Sequence, residues 1–154
     1  MALFIPSKFI GVWRSAGGVA HTGDTAETAL ATISLPPLKA GDFIRVYSLW
    51  SNNNSGGTKR ARVRLNGLSG TVFMGIGVTT TTLIRDERVI GITSATSQIC
   101  WNSGQSGWGS ASAAAATGSV DVSTGTTLLL TGICESSSSD TITLEDYVVE
   151  IGRP

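Results

Sequence analysis

Residues 42–50, DFIRVYSLW, are followed by SNNNSGGT at 51–58, KRARVRL at 59–65 and Asn66-Gly67. Successive strand side chains point to opposite faces, so period-two hydrophobicity marks a half-buried strand. Ile44, Val46 and Trp50 alternate with Arg45, Tyr47 and Leu49, which predicts one buried face and one partly covered face. Ala61, Val63 and Leu65 alternate with Arg60, Arg62 and Arg64 in the same way. The Asn/Ser/Gly run between the two segments is a loop by composition. Asn-Gly between β-like runs favours a tight hairpin turn, because both residues tolerate positive φ.

The same rhythm extends in both directions. Upstream, Thr25–Leu35 is expected as a strand with Leu30, Ile33 and Leu35 in the core, closed by Pro36-Pro37. Residues 1–22 read as an N-terminal arm, interrupted by Pro6 and Gly17-Gly18, ahead of a β-sandwich domain over 23–154. Downstream, strands are expected at Thr71–Gly77, within Thr79–Ile92, at Thr96–Trp101, Val120–Val122, Thr126–Cys134 and Thr141–Ile151. Gly, Ser and Ala dominate Asn102–Gly118, which reads as irregular. The last strand changes phase: Ile142 and Leu144 share one face, Tyr147, Val149 and Ile151 the other. A bulge near Glu145-Asp146 would reset the phase; burial of both faces, one in a subunit contact, is the alternative.

The chain has 154 residues, within the usual range of one domain and enough for a core without metals or a disulfide framework. Only 14% of residues are charged and the formal net charge is zero. So little charge protects a lone monomer poorly against association, which favours an oligomer. Neutrality gives no global field for nucleic acid or an anionic membrane, and no partner of either kind is expected. No stretch approaches the roughly 18 apolar residues of a membrane span, and Met1–Ile10 lacks the basic start of a secretory signal. Cys100 and Cys134 sit in apolar β-like segments, as buried free thiols or as one bridge.

Catalytic chemistry finds little to use. One histidine, His21, and two distant cysteines cannot supply a metal site by spacing, and no cofactor or metal is expected. His21 is also the conventional candidate for a triad base, in a chain without a Gly-x-Ser-x-Gly elbow. Asp86-Glu87 and Glu145-Asp146 are adjacent on strands and so diverge. No catalytic residue is assigned. Binding has three candidates. Arg60, Arg62 and Arg64 form a linear basic row that could grip acidic partners or simply keep a sheet face solvated. Trp101 and Trp108, in CWNSGQSGWG, could stack on sugar rings or cap the sandwich. Leu3, Phe4, Ile5, Phe9 and Trp13 make the arm an apolar anchor, unless Phe9–Trp13 is the first strand.

Three patches carry a family resemblance: ETALATISLPPLKAGDFIRVYSLWSNNNSGGTKRARVRLNG, SVDVSTGTTLLLTG and DTITLEDYVVEI. Together they resemble small phage and prophage virion proteins of the capsid decoration, head-fibre and tail-fibre-tip type. The resemblance implies an antiparallel, jelly-roll-like β-sandwich, a homotrimer, and a place in the virion after assembly in the host cytoplasm. Because such families act by binding, it implies no enzyme. Decoration of the shell, with the major capsid protein or another virion protein as partner, is the leading expectation. A fibre-tip protein that binds a host surface glycan is the alternative; only about 22 residues precede the expected sandwich, little room for a shaft.

Overall fold

The computed structural model describes residues 8–100, 115–136 and 139–154. Ten strands lie within them: β1 (Lys8–Thr22), β2 (Thr28–Leu35), β3 (Phe43–Asn52), β4 (Lys59–Leu65), β5 (Thr71–Val78), β6 (Leu83–Ser94), β7 (Ser97–Cys100), β8 (Ala116–Gly118), β9 (Thr126–Cys134) and β10 (Thr141–Arg153). A six-stranded sheet has the order β1-β10-β3-β6-β7-β8, and a four-stranded sheet the order β2-β9-β4-β5.

The order has a simple origin. β1 pairs with β10, β2 with β9, β3 with β6 and β4 with β5, all antiparallel, as in one long folded-back hairpin. Rolling that hairpin up brings β10 against β3 and β9 against β4, closing two sheets face to face. This nesting is the jelly roll. The short β7–β8 pair widens the larger sheet beyond β6.

Alternation does the packing. Ile44, Val46 and Trp50 of β3 enter the core with Val63 and Leu65 of β4, Phe73 of β5 and Leu128 and Leu130 of β9. Burying each such side chain is worth about 1.5–3 kcal/mol, which pins the register of both sheets. Gly132 of β9 leaves no room for a side chain: a methyl group there would come within 2.7 Å of Ile142 Cγ2 on the facing sheet and 3.1 Å of Leu30 Cδ1.

Several expectations are altered by the fold. Lys8–Thr22 is no arm outside the sandwich but its first strand, aligned along β10 from Lys8–Arg153 to Thr22–Thr141. Register shifts between Phe9 and Gly11 and between Ala16 and Val19 absorb the glycines that suggested an irregular arm. The sandwich therefore includes β1, and a boundary at 22/23 falls between two paired strands. Asn66 and Gly67 do adopt positive φ, 67° and 81°, but the connection runs to Gly70 before Thr71 pairs with Leu65. Asn66 N donates across to Thr127 O of β9 at 2.9 Å, and Gly70 N donates to Gly67 O at 3.1 Å within the turn. Val120–Val122 is not a ladder strand: the Gln98 side chain bonds both the N and the O of Val120. In β10 the register shifts between Leu144 and Asp146, so the bulge reading holds. Ile142, Leu144, Val149 and Ile151 all reach the core. Cys100 and Cys134 are buried on different sheets and are not bridged to one another, and burial pushes the Cys134 thiol up.

Candidate functional site

The arginine row lies on the outer face of the four-stranded sheet, as its period-two spacing requires. It is held by the chain's own carboxylates. Arg64 grips Glu27 bidentately, Nε to Oε1 at 2.6 Å and Nη2 to Oε2 at 2.7 Å, and donates from Nη1 to Gly70 O at 2.7 Å. Arg62 Nη1 donates to Glu27 Oε2 at 2.5 Å, and Thr131 Oγ1 donates to Glu27 Oε1. Arg60 grips Glu135 at 2.8 and 3.1 Å. Burial alone would raise the Glu27 carboxyl, but the bonds from Arg64, Thr131 and Arg62 outweigh it and hold it at about 2. With its forks already matched to Glu27 and Glu135, this row offers an acidic partner less than the bare sequence suggests.

His21 is buried, and its ring nitrogen lies 3.1 Å from the Asp24 carbonyl. Asp86 and Glu87 diverge as strand geometry demands: Asp86 points into the sandwich and Glu87 out. Asp86 meets Arg88 there, Nε to Oδ2 at 2.8 Å, with both side chains almost fully buried. Burial raises the Asp86 carboxyl against the pull of Arg88. Sequence reasoning missed this internal pair. Its signal was phase: Asp86 and Arg88 share parity with Ile84, Ile90 and Ile92. Lys59, read from sequence as part of the basic stretch beside the arginine row, is instead fully buried; its ammonium donates to Ser55 Oγ at 2.8 Å and Thr79 O at 2.6 Å. Ser55 in turn bonds Asp140. Among the described residues no group of three or more His, Cys, Asp or Glu side chains could hold a metal ion.

The outer face of the six-stranded sheet is different. One cross-strand row runs Val12, Glu150, Arg45, Val89, and the next runs Arg14, Val148, Tyr47, Glu87. Arg45 lies between Glu150 at 3.5 Å and Glu87 at 3.8 Å, and Arg14 lies 3.5 Å from Asp146. Arg14 and Arg45 are thus paired within the face, whereas Arg85 forms no ion pair among the described residues. Apolar side chains are left open: Phe9 is 50% exposed and Val12 59%, both on β1, the edge strand. Trp13 points the other way and packs half-buried against the core. On the same outer face, β3, β6 and β10 enclose an open pocket of about 490 Å³, lined in part by Tyr47, Leu49, Arg85, Asp146 and Val148. Leu3, Phe4 and Ile5, with Trp101 and Trp108, lie outside the described residues.

No protein-family model matches the sequence, and no curated protein matches it. Solved structures give distant likenesses. The VP2 subviral particle of infectious bursal disease virus aligns over 93% of this chain and 32% of its own, at 9% identity and a TM-score of 0.40. The CBM2 module of the evolved Dit of Lactobacillus casei BL23 phage J-1 aligns over 77% of this chain and 67% of its own, at 12% identity and a TM-score of 0.36. A structure described as CBM4 aligns over 88% and 89%, at 13% identity and a TM-score of 0.34. This chain thus spans about a third of the VP2 chain. The jelly-roll assignment rests on the strand order itself.

Proposed function

We propose that this chain is a non-enzymatic structural protein of a phage virion, a trimeric decoration protein that binds the assembled shell and stabilises it. The observation that carries the reading is the open apolar edge at β1. Phe9 and Val12 stand exposed on a strand whose outer side pairs with no other strand among the described residues. That combination suits docking of another chain, by apolar contact or by strand addition. Leu3, Phe4 and Ile5 immediately precede this edge and extend its apolar character in sequence. The phage setting and the trimer come from the sequence resemblance. Support for a non-enzymatic role comes from how the reactive groups are engaged: the His21 ring with Asp24, and Glu27, Glu135 and Asp42 with arginines. Stabilisation follows from mass action, since a protein that binds assembled shell and not free subunits favours the shell.

Deleting residues 2–7 tests the reading, because β1 begins at Lys8 and is spared. The truncated protein is expected to fold and melt cooperatively but to co-sediment with shells far less than the full chain. Shells carrying it are expected to rupture at lower temperature than fully decorated ones. Undiminished co-sedimentation would place the anchor elsewhere.

A further inference from the structure

We propose that the pocket on the outer face of the six-stranded sheet binds a neutral pyranose, independently of the decoration reading. Strand alternation points Tyr47, Leu49, Arg85, Asp146 and Val148 out of the sandwich, so these side chains supply the pocket wall. Leu49 pairs with Arg85 on one neighbouring strand and with Asp146 on the other. Two strand spacings therefore separate cation from carboxylate by about 10 Å at the backbone, with an apolar residue between them. Tyr47 and Val148, paired in the adjacent row, continue that apolar floor with an aromatic ring.

The polar ends specify the ligand. Asp146 Oδ1 is shielded from solvent and has no hydrogen-bond partner, although Arg14 lies 3.5 Å from Oδ2. A carboxylate oxygen only accepts, so this atom calls for a donor. Arg85 is exposed and forms no ion pair among the described residues; a guanidinium only donates, so it calls for an acceptor. An anion would be repelled at Asp146 and a cation at Arg85. A hydroxyl both donates and accepts, and a sugar ring carries hydroxyls on its rim and C–H faces that pack on Tyr47 and Leu49. The pocket volume of about 490 Å³ falls within the roughly 300–1,000 Å³ of small-molecule sites and admits one ring with room for a linked neighbour.

Saturation-transfer NMR and amide chemical-shift mapping on the full chain test the proposal. The probes are the methyl pyranosides of glucose, galactose, mannose, rhamnose and N-acetylglucosamine at millimolar concentration, with L-leucine as a zwitterion of similar size. At least one pyranoside is expected to shift amides around 47–49, 85–86 and 146–148, and leucine none of them. Arg85→Ala, at an exposed position, should keep the fold and weaken that binding about tenfold; Asp146→Asn should do likewise. Arg85→Ala should still co-sediment with shells, so failure of this site and failure of the decoration reading are separable. Absence of shifts with all five sugars, leucine binding in their place, or sugar binding unchanged in both variants would each overturn the proposal.

Discussion

Glu27 gathers most of the arginine row, and its chemistry sets how this protein responds to acid. Its folded value of about 2 lies below the ordinary 4.5, so the unfolded chain binds its proton more readily. Its contribution is therefore present in full above 4.5 and is lost as pH falls towards 2. Asp42, held down by the Arg153 bond, and Glu135, held down by Arg60, act with the same sign. Denaturant midpoints are expected to fall as pH drops through this window, and Glu27→Gln should flatten the fall. At neutral pH the same substitution should cost about 1–3 kcal/mol, because two arginines lose a charged acceptor. A variant with the wild-type acid profile would count against this assignment. The arginine pattern itself was plain in KRARVRL, yet nothing local could show that Glu27, more than thirty residues upstream, lies across from it.

The bulge in β10 decides which way half a strand faces. Ile142 and Leu144 precede it, Val149 and Ile151 follow it, and the extra residue brings all four into one core. Deleting Glu145 would put one of these pairs out of phase, exposing two apolar side chains at roughly 1.5–3 kcal/mol each. Against a total stability of about 5–15 kcal/mol, the deletion variant should lose its cooperative melt or melt far lower. Glu145→Ala keeps the residue count and loses only the bond from Ser51, so its melt should stay near the wild type. Circular dichroism melts of the two variants check this; equal melts would mean that β10 can slip without cost. β4, with one clean phase, and β9, a near-continuous buried run, were legible: both begin and end where the sequence pattern places them. β1 was not, because its glycines look like irregular chain until β10 supplies a partner for the bulged strand. The Asp86–Arg88 pair was hidden for a related reason, since both phases of β6 mix charged and apolar residues.

For the protein entire, the outer face of the larger sheet pairs Arg14 and Arg45 internally and leaves Val12, Leu83 and Val89 open. Association through such a surface is driven by apolar contact, so the proposed trimer should resist added salt. Sedimentation equilibrium at low and high salt is expected to return the trimer mass in both. A persistent monomer would sink this part of the proposal. The pairing of the first strand with the last has a mechanical consequence. Lys8 faces Arg153, so the two ends of the sandwich leave at the same end of the same ladder. A load applied between them would open the β1–β10 bonds one pair at a time, as a zipper opens, instead of shearing them together. A load that enters and leaves through the far loops would meet the ladders lengthwise, with many bonds sharing the force. Tethered by one end alone, the sandwich carries no tension across this seam, and the weak direction of the molecule is never tested.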